Sequence, residues 1–226
     1  MIVSAGDIGM TSHASSWYRE SVPTRTSISI FLLVLPVVVP RVLEADPPGP
    51  RVLHSELTPH GYLFVVEEDG HRILRFGEVD AADQSMIDPG DPDAVPMDYI
   101  RVALAGLAFL ERPPKRVLMI GLGGGTYTNF LWRKFTKTRI EGVEINEAGG
   151  RGARRYFDVP QDARYRVHLA DGRAWLEKSK SKYDLIFVDA YGDADDIPEG
   201  LADAGFFRLV REHLAPGGVA VVNLSV

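Results

Sequence analysis

Three acidic residues stand where carboxylates can meet a ligand: Glu144, Asp171 and Asp189, each at the end of a β-prone run. Ligands of open α/β sheets bind outside the carboxyl ends of the strands, so an acid placed there can accept hydrogen bonds or a proton. Asp189 closes YDLIFV, residues 183–188, the most strand-like run in the chain and apolar enough to be central and parallel. A carboxylate that terminates such a strand reads as facing the ligand. Glu144 lies 19 residues beyond Gly125, the offset at which an acidic side chain accepts from both hydroxyls of a ribose. Asp171, followed by Gly172, either caps the next helix or accepts from an adenine amine.

These side chains need a frame, and VLMIGLGGGT, residues 117–126, supplies its centre. A short apolar run ends in Gly121, Gly123 and Gly125, and residues 127–135 have helical character, so the order is buried strand, tight turn, helix start. Glycines let a backbone approach a nucleotide-like ligand closely. Alone, the cluster also fits an ordinary strand-to-helix turn. Further strands are expected at 139–145 and 165–169, and helices at 147–157, 173–178 and 204–214. The helix at 147–157 is a poor one, because Gly149, Gly150 and Gly152 each cost about 1 kcal/mol relative to Ala. Residues 215–218 (APGG) break the last helix, and 219–224 read as another buried strand.

Before the glycine turn, residues 62–66 and 71–76 form a hairpin through Asp69-Gly70. A loop rich in Pro, Gly and Asp covers 84–96. Asp98 is the expected N-cap of a helix over 99–110. Ile100, Ala103, Leu104, Leu107 and Leu110 recur there at helical spacing and should pack on the sheet. Tyr99 sits in its first turn, and its type and position alone suggest a half-buried aromatic with a wet hydroxyl.

Composition narrows the classes. At 226 residues, 45% hydrophobic and 25% charged, the chain can bury one sizeable core. A net charge of −6 with no basic tract argues against nucleic acid and makes a cationic substrate the easier partner. The absence of cysteine removes thiolate nucleophiles and thiolate metal sites, and the six scattered His suggest no metal centre. Residues 28–39 (ISIFLLVLPVVV) resemble a signal or anchor core, short for a span of about 20 residues. Membrane association through residues 27–40, a cytoplasmic location and secretion are all compatible with it, as is homodimerisation. The expected division is a tail and Pro-rich linker over 1–50, a hairpin unit over 51–98, and a nucleoside-binding α/β domain over 99–226.

Taken together, VLMIGLGGGT, VEIN, ADGRAWL, YDLIFVDAYG and LAPGGVAVVNL resemble the Rossmann-like class I S-adenosylmethionine-dependent methyltransferase fold, and more narrowly the spermidine synthase family. The narrower likeness rests on the 62–76 hairpin, Gln84, Tyr99 placed 18 residues before Val117, and Asp189. It covers residues 51–226. It implies that Gly121, Gly123, Gly125, Glu144, Asp171 and Gly172 hold the nucleoside of decarboxylated S-adenosylmethionine or S-adenosylmethionine, with Gln84 and Tyr99 bordering the reactive end. It also implies that Asp189 holds and deprotonates a small-molecule amine, which attacks the aminopropyl carbon beside the sulfonium.

Departures are specific. The family's glycine loop usually carries an Asp where this chain has Gly124, its acidic or amide-rich stretch after Tyr99 is here Ile100-Arg101, and its second Asp is Gly192. Strands expected beyond Val226 are absent. A methyltransferase of unknown acceptor and a non-catalytic nucleoside-binding module therefore stand as alternatives. A nicotinamide-dependent oxidoreductase is disfavoured by Thr126 at the third glycine position.

Overall fold

The structure is a computed structural model that describes residues 49–191 and 198–224. The apolar segment 28–39, Gly192 and the acidic residues 193, 195 and 196 lie outside the described residues. Everything described belongs to one unit, Asp46–Val226.

Two sheets build it. The first is antiparallel, in the order β1 (Arg51–Thr58), β2 (Gly61–Glu68), β3 (His71–Phe76), β4 (Asp83–Ile87). Asp69 and Gly70 both take positive φ (48° and 78°), the conformation a two-residue hairpin turn demands. β1 and β4 were not expected from the sequence, which places residues 84–96 in a loop. β4 reads polar along its length (DQSMI) and forms because its backbone pairs with β3 while Arg75 of β3 reaches Asp83 at 2.7 Å.

The second sheet is parallel and five-stranded, in the order β7 (Tyr165–Leu169), β6 (Arg139–Glu144), β5 (Arg116–Ile120), β8 (Tyr183–Val188), β9 (Leu214–Val222). This is the expected Rossmann-like arrangement. The chain steps outward from β5 through β6 to β7, then returns to the other side of β5 for β8 and β9. The reversal leaves a crevice at the carboxyl end of β5, the usual ligand position in such sheets.

The buried strands pack on both faces with a period of two. Val117, Met119, Leu185 and Phe187 share a core with Ile100, Tyr127 and Leu131. Leu118, Ile120, Ile186 and Val188 share another with Leu176, Phe206 and Val210. Each such side chain removed from water contributes about 1.5 to 3 kcal/mol, so these two layers fix the register that positions the strand ends.

The helices are α1 (Asp98–Leu104), α2 (Thr126–Lys134), α3 (Glu147–Tyr156), α4 (Gly172–Lys178), α5 (Glu199–Ala202) and α6 (Ala204–His213). Three expectations need correction. The helix expected over 99–110 is α1 followed by a 3-10 segment, Ala105–Phe109, because a Cβ at Gly106 would stand 2.4 Å from Val221 and the chain tightens against β9 there. Asp98 is the first helical residue, with Met97 as N-cap, and pairs instead with Arg101. The last strand starts at Leu214, runs through the Pro-Gly-Gly segment with a register shift, and is a half-exposed edge, not a buried strand. The glycine-rich α3 forms nonetheless: Asn146 caps it by accepting the Gly149 amide at 3.1 Å, and Gly149 and Gly150 are buried against Glu144 at the end of β6.

Candidate functional site

The carboxyl edge of the parallel sheet gathers most of the residues singled out in the sequence. β5 ends at Ile120, and Gly121 turns the chain with φ of 82°. A Cβ there would lie 2.1 Å from the Asp189 carbonyl oxygen, so only glycine lets β5 and β8 stay this close at their ends. Gly125 is the N-cap of α2 and takes the left-handed conformation, with φ of 74°.

Glu144, 8% exposed at the end of β6, is bound to this turn. Its Oε2 accepts from the amides of Leu122 (2.9 Å) and Gly123 (3.2 Å), and its Oε1 accepts from the Asn146 amide (2.8 Å). A carboxylate has about four acceptor positions, so it can take these three bonds and still face a ligand. Asp171, at the next strand end, is exposed, and its Oδ1 accepts from the Ala174 amide at 2.8 Å. The capping reading is thus what its first oxygen does. Gly172 opens α4 and is buried against Ile120, with no room for a Cβ, which would stand 2.3 Å from Ile120 Cγ2.

Asp189 follows β8 and is held on both oxygens. Tyr99 donates to Oδ2 at 3.2 Å, and the Asn223 carboxamide donates to Oδ1 at 2.8 Å. Burial pushes the carboxyl above its ordinary range, and the two hydrogen bonds, Asn223 first, pull the other way. Burial, followed by the Asp189 charge, drives the Tyr99 phenol far above its usual value, so it remains a donor at any working pH. Among the described residues no Lys, Arg or His forms an ion pair with Asp189.

The antiparallel sheet supplies the opposite wall through β4. Ser85, buried, accepts the Gly124 amide at 2.8 Å, Thr126 donates to the Met86 carbonyl at 3.0 Å, and the Tyr99 hydroxyl lies 3.4 Å from the Gln84 carbonyl. Gln84 is therefore at the site, with its backbone next to Tyr99. Sequence reasoning missed Ser85 and Asn223. The strand expected over 219–224 placed Asn223 inside a strand, whereas β9 ends at Val222 and sets Asn223 level with Asp189. Two open depressions, about 340 Å³ beside Arg154, Tyr165 and His168 and about 620 Å³ beside Arg51 and Glu67, involve none of these residues.

A glycine turn, a strand-end glutamate and a half-buried aspartate without a counter-ion among the described residues thus meet at one edge of a Rossmann-like methyltransferase fold. Residues 98–224 match the spermine/spermidine synthase domain, and the chain belongs to that family. A probable polyamine aminopropyl transferase of Bifidobacterium longum (strain NCC 2705) is 44% identical over 128 residues, covering 57% of this chain and 28% of its own. The polyamine aminopropyltransferase of Vibrio vulnificus (strain CMCP6) is 30% identical over 177 residues, covering 76% of this chain and 58% of its own. The chain thus spans less than two thirds of the length of these relatives. A spermidine synthase structure in complex with the transition state analogue AdoDATO superposes with a TM-score of 0.62 at 20% identity, over 76% of this chain and 56% of the other. Among the described residues no helix is long and apolar enough to cross a membrane.

Proposed function

We propose that this chain transfers an aminopropyl group from decarboxylated S-adenosylmethionine to an amine of a polyamine. The observation that carries the reading is Asp189: a partly buried carboxylate with a neutral donor on each oxygen and no cationic partner among the described residues. Such a group is costly to keep ionised unless a ligand brings the opposite charge. A protonated amine does so, and the family membership supports that identity.

In this reading Gly121, Gly123 and Gly125 line the nucleoside, Glu144 receives a ribose hydroxyl at its remaining acceptor position, and Asp171 and Gly172 lie at the adenine end. Gln84 and Tyr99 border the reactive end. Asp189 binds the ammonium and takes one proton, leaving a neutral amine. The amine nitrogen attacks the aminopropyl carbon next to the sulfonium. The new C–N bond forms as the C–S bond breaks, its electron pair returns to sulfur, and methylthioadenosine leaves. The product leaves as a secondary ammonium, and the proton held by Asp189 passes to solvent, which restores the carboxylate.

One observation favours a second reading, methyl transfer from S-adenosylmethionine. Position 124 is glycine and its surroundings are filled by Phe157 and Ser85, so the turn carries no acidic side chain to repel the carboxylate of S-adenosylmethionine. Incubation with each donor and with putrescine or longer polyamines separates the two. Methylthioadenosine release from the decarboxylated donor supports aminopropyl transfer. Release of S-adenosylhomocysteine alone would overturn it.

A further inference from the structure

We propose that Asn223 is a positioning residue for Asp189, holding its carboxylate in one rotamer so that the second lone pair of each oxygen stays open towards the acceptor amine. The inference rests on the proposed role of Asp189 and adds a residue that neither the family likeness nor the sequence singled out.

The geometry has three parts. Asn223 follows β9, and its own amide donates to the Val188 carbonyl at 2.9 Å, which continues the β8/β9 ladder past the last paired residue. Its backbone is therefore fixed by the same hydrogen-bond row that fixes Asp189, whose amide donates to the Ile120 carbonyl at 2.8 Å. From that anchored position the side-chain Nδ2 donates to Asp189 Oδ1 at 2.8 Å. A carboxylate only accepts, so the nitrogen of the carboxamide must face it, and the orientation of Asn223 follows. On the other side Tyr99, anchored in α1, donates to Oδ2 at 3.2 Å. Two donors from two different elements, one on each oxygen, remove the rotation that a lone aspartate at a strand end would retain.

The choice of donors matters as much as their positions. Among the described residues, the groups that face Asp189 are Tyr99 from α1, Asn223 after β9 and the backbone of Gly121 in the turn, with Tyr191 near enough to act on Tyr99. Both hydrogen-bond donors are neutral at any working pH. A Lys or Arg in place of Asn223 would hold the carboxylate equally well, but it would neutralise the charge and compete with the ammonium. Asparagine orients without competing. It also favours the ionised carboxyl, offsetting part of the upward push of burial.

The test uses the full chain and the variants Asn223→Ala and Asn223→Asp. The first readout is the titration of the Asp189 carboxyl followed by ¹³C NMR in the absence of ligand, assigned by its loss in Asp189→Asn. Asn223→Ala should raise its midpoint by about one pH unit, and Asn223→Asp, which sets a like charge beside it, should raise it further. The second readout is turnover. In Asn223→Ala the acid limb of kcat/KM for the amine should move up by the same amount and kcat should fall about tenfold, while methylthioadenosine affinity stays near wild type. A residue that only stabilises the end of β9 would lower the melting temperature and leave the carboxyl midpoint unchanged, and that result overturns the proposal. Should the wild type transfer no aminopropyl group, the function fails but the NMR titration still decides the role of Asn223.

Discussion

The Glu144 carboxylate accepts the Leu122 amide at 2.9 Å, so the acid at the end of β6 and the glycine turn after β5 form one hydrogen-bonded piece. The ribose role expected from the 19-residue offset and the shape of the turn are therefore coupled. Any ligand that meets Glu144 meets a group already oriented by two turn amides and by Asn146.

Replacing Glu144 by Ala should consequently do two things. Three buried or partly buried amides lose a charged acceptor, which costs roughly 2 to 4 kcal/mol of stability. Methylthioadenosine affinity should also fall at least tenfold, since each hydrogen bond to a charged acceptor contributes about 1.5 to 3 kcal/mol. Denaturant melts and calorimetry measure the two effects. An unchanged melting curve would contradict the bracing of the turn, and unchanged affinity would contradict the ribose assignment.

Tyr99→Phe removes the donor to Asp189 Oδ2 while keeping the ring. Because that hydrogen bond favours the ionised carboxyl, its loss should raise the Asp189 midpoint and move the acid limb of kcat/KM to higher pH. With the phenol held protonated by burial, no alkaline limb should vanish in the variant. Rates across pH 5 to 9 check both points, and an acid limb that stays in place counts against contact between Tyr99 and the working base.

Legibility of the fold followed the hydrophobic pattern. β8 is apolar apart from Asp184 and buried on both faces, and its bounds could be read directly from YDLIFV. β4 could not be read, because a polar pentapeptide becomes a strand only when β3 and Arg75 present it with partners distant in sequence. β9 was misjudged for the related reason that an edge strand tolerates Pro216 and two glycines, which a central strand would not. At the site, Glu144, Asp189 and the glycines were legible because motif spacing fixes them relative to strand ends. Ser85 and Asn223 were not, since a lone Ser or Asn carries no periodic signal. Their roles arise from β4 meeting the turn and from β9 lying beside β8.

Asp189→Asn should stabilise the unliganded protein at neutral pH. The folded carboxyl titrates above its unfolded value because burial disfavours the charge. The sign follows from proton counting: between the two values the folded state binds more protons, so this group's contribution to stability falls as pH rises through that window and is flat above it. Asparagine carries no charge to bury and removes that loss. The variant should melt higher than wild type at pH 7 to 8, by about 2 to 4 °C per kcal/mol regained, with the difference closing towards pH 4. Turnover should meanwhile drop by about 10²- to 10⁴-fold. Equal melting temperatures across the whole range would show that the carboxylate is not strained by its surroundings.

The final prediction concerns Gly124, where the family's loop usually carries an aspartate. Simple restoration should fail. A Cβ at this position would stand 2.8 Å from Phe157 Cδ1 and 2.9 Å from Ser85 Cβ, and Phe157 is fully buried against Leu63, Val65 and Leu74 of the antiparallel sheet. The space that would hold an acidic side chain is occupied by β4 and by the residue just after α3. Overpacking of this kind costs roughly 1 to 3 kcal/mol before any charge is buried. The Ser85 hydroxyl, which accepts the Gly124 amide at 2.8 Å, would have to shift as well, loosening the wall that also carries the Gln84 carbonyl beside Tyr99. Gly124→Asp should therefore lower the melting temperature by several degrees and should not tighten binding of decarboxylated S-adenosylmethionine. Pairing it with Phe157→Leu, which gives back ring volume beside the new side chain, should recover part of the stability and allow a gain in donor affinity to show. If Gly124→Asp alone melts like wild type and binds the decarboxylated donor more tightly, β4 and Phe157 yield easily and the packing explanation for glycine at this position is wrong.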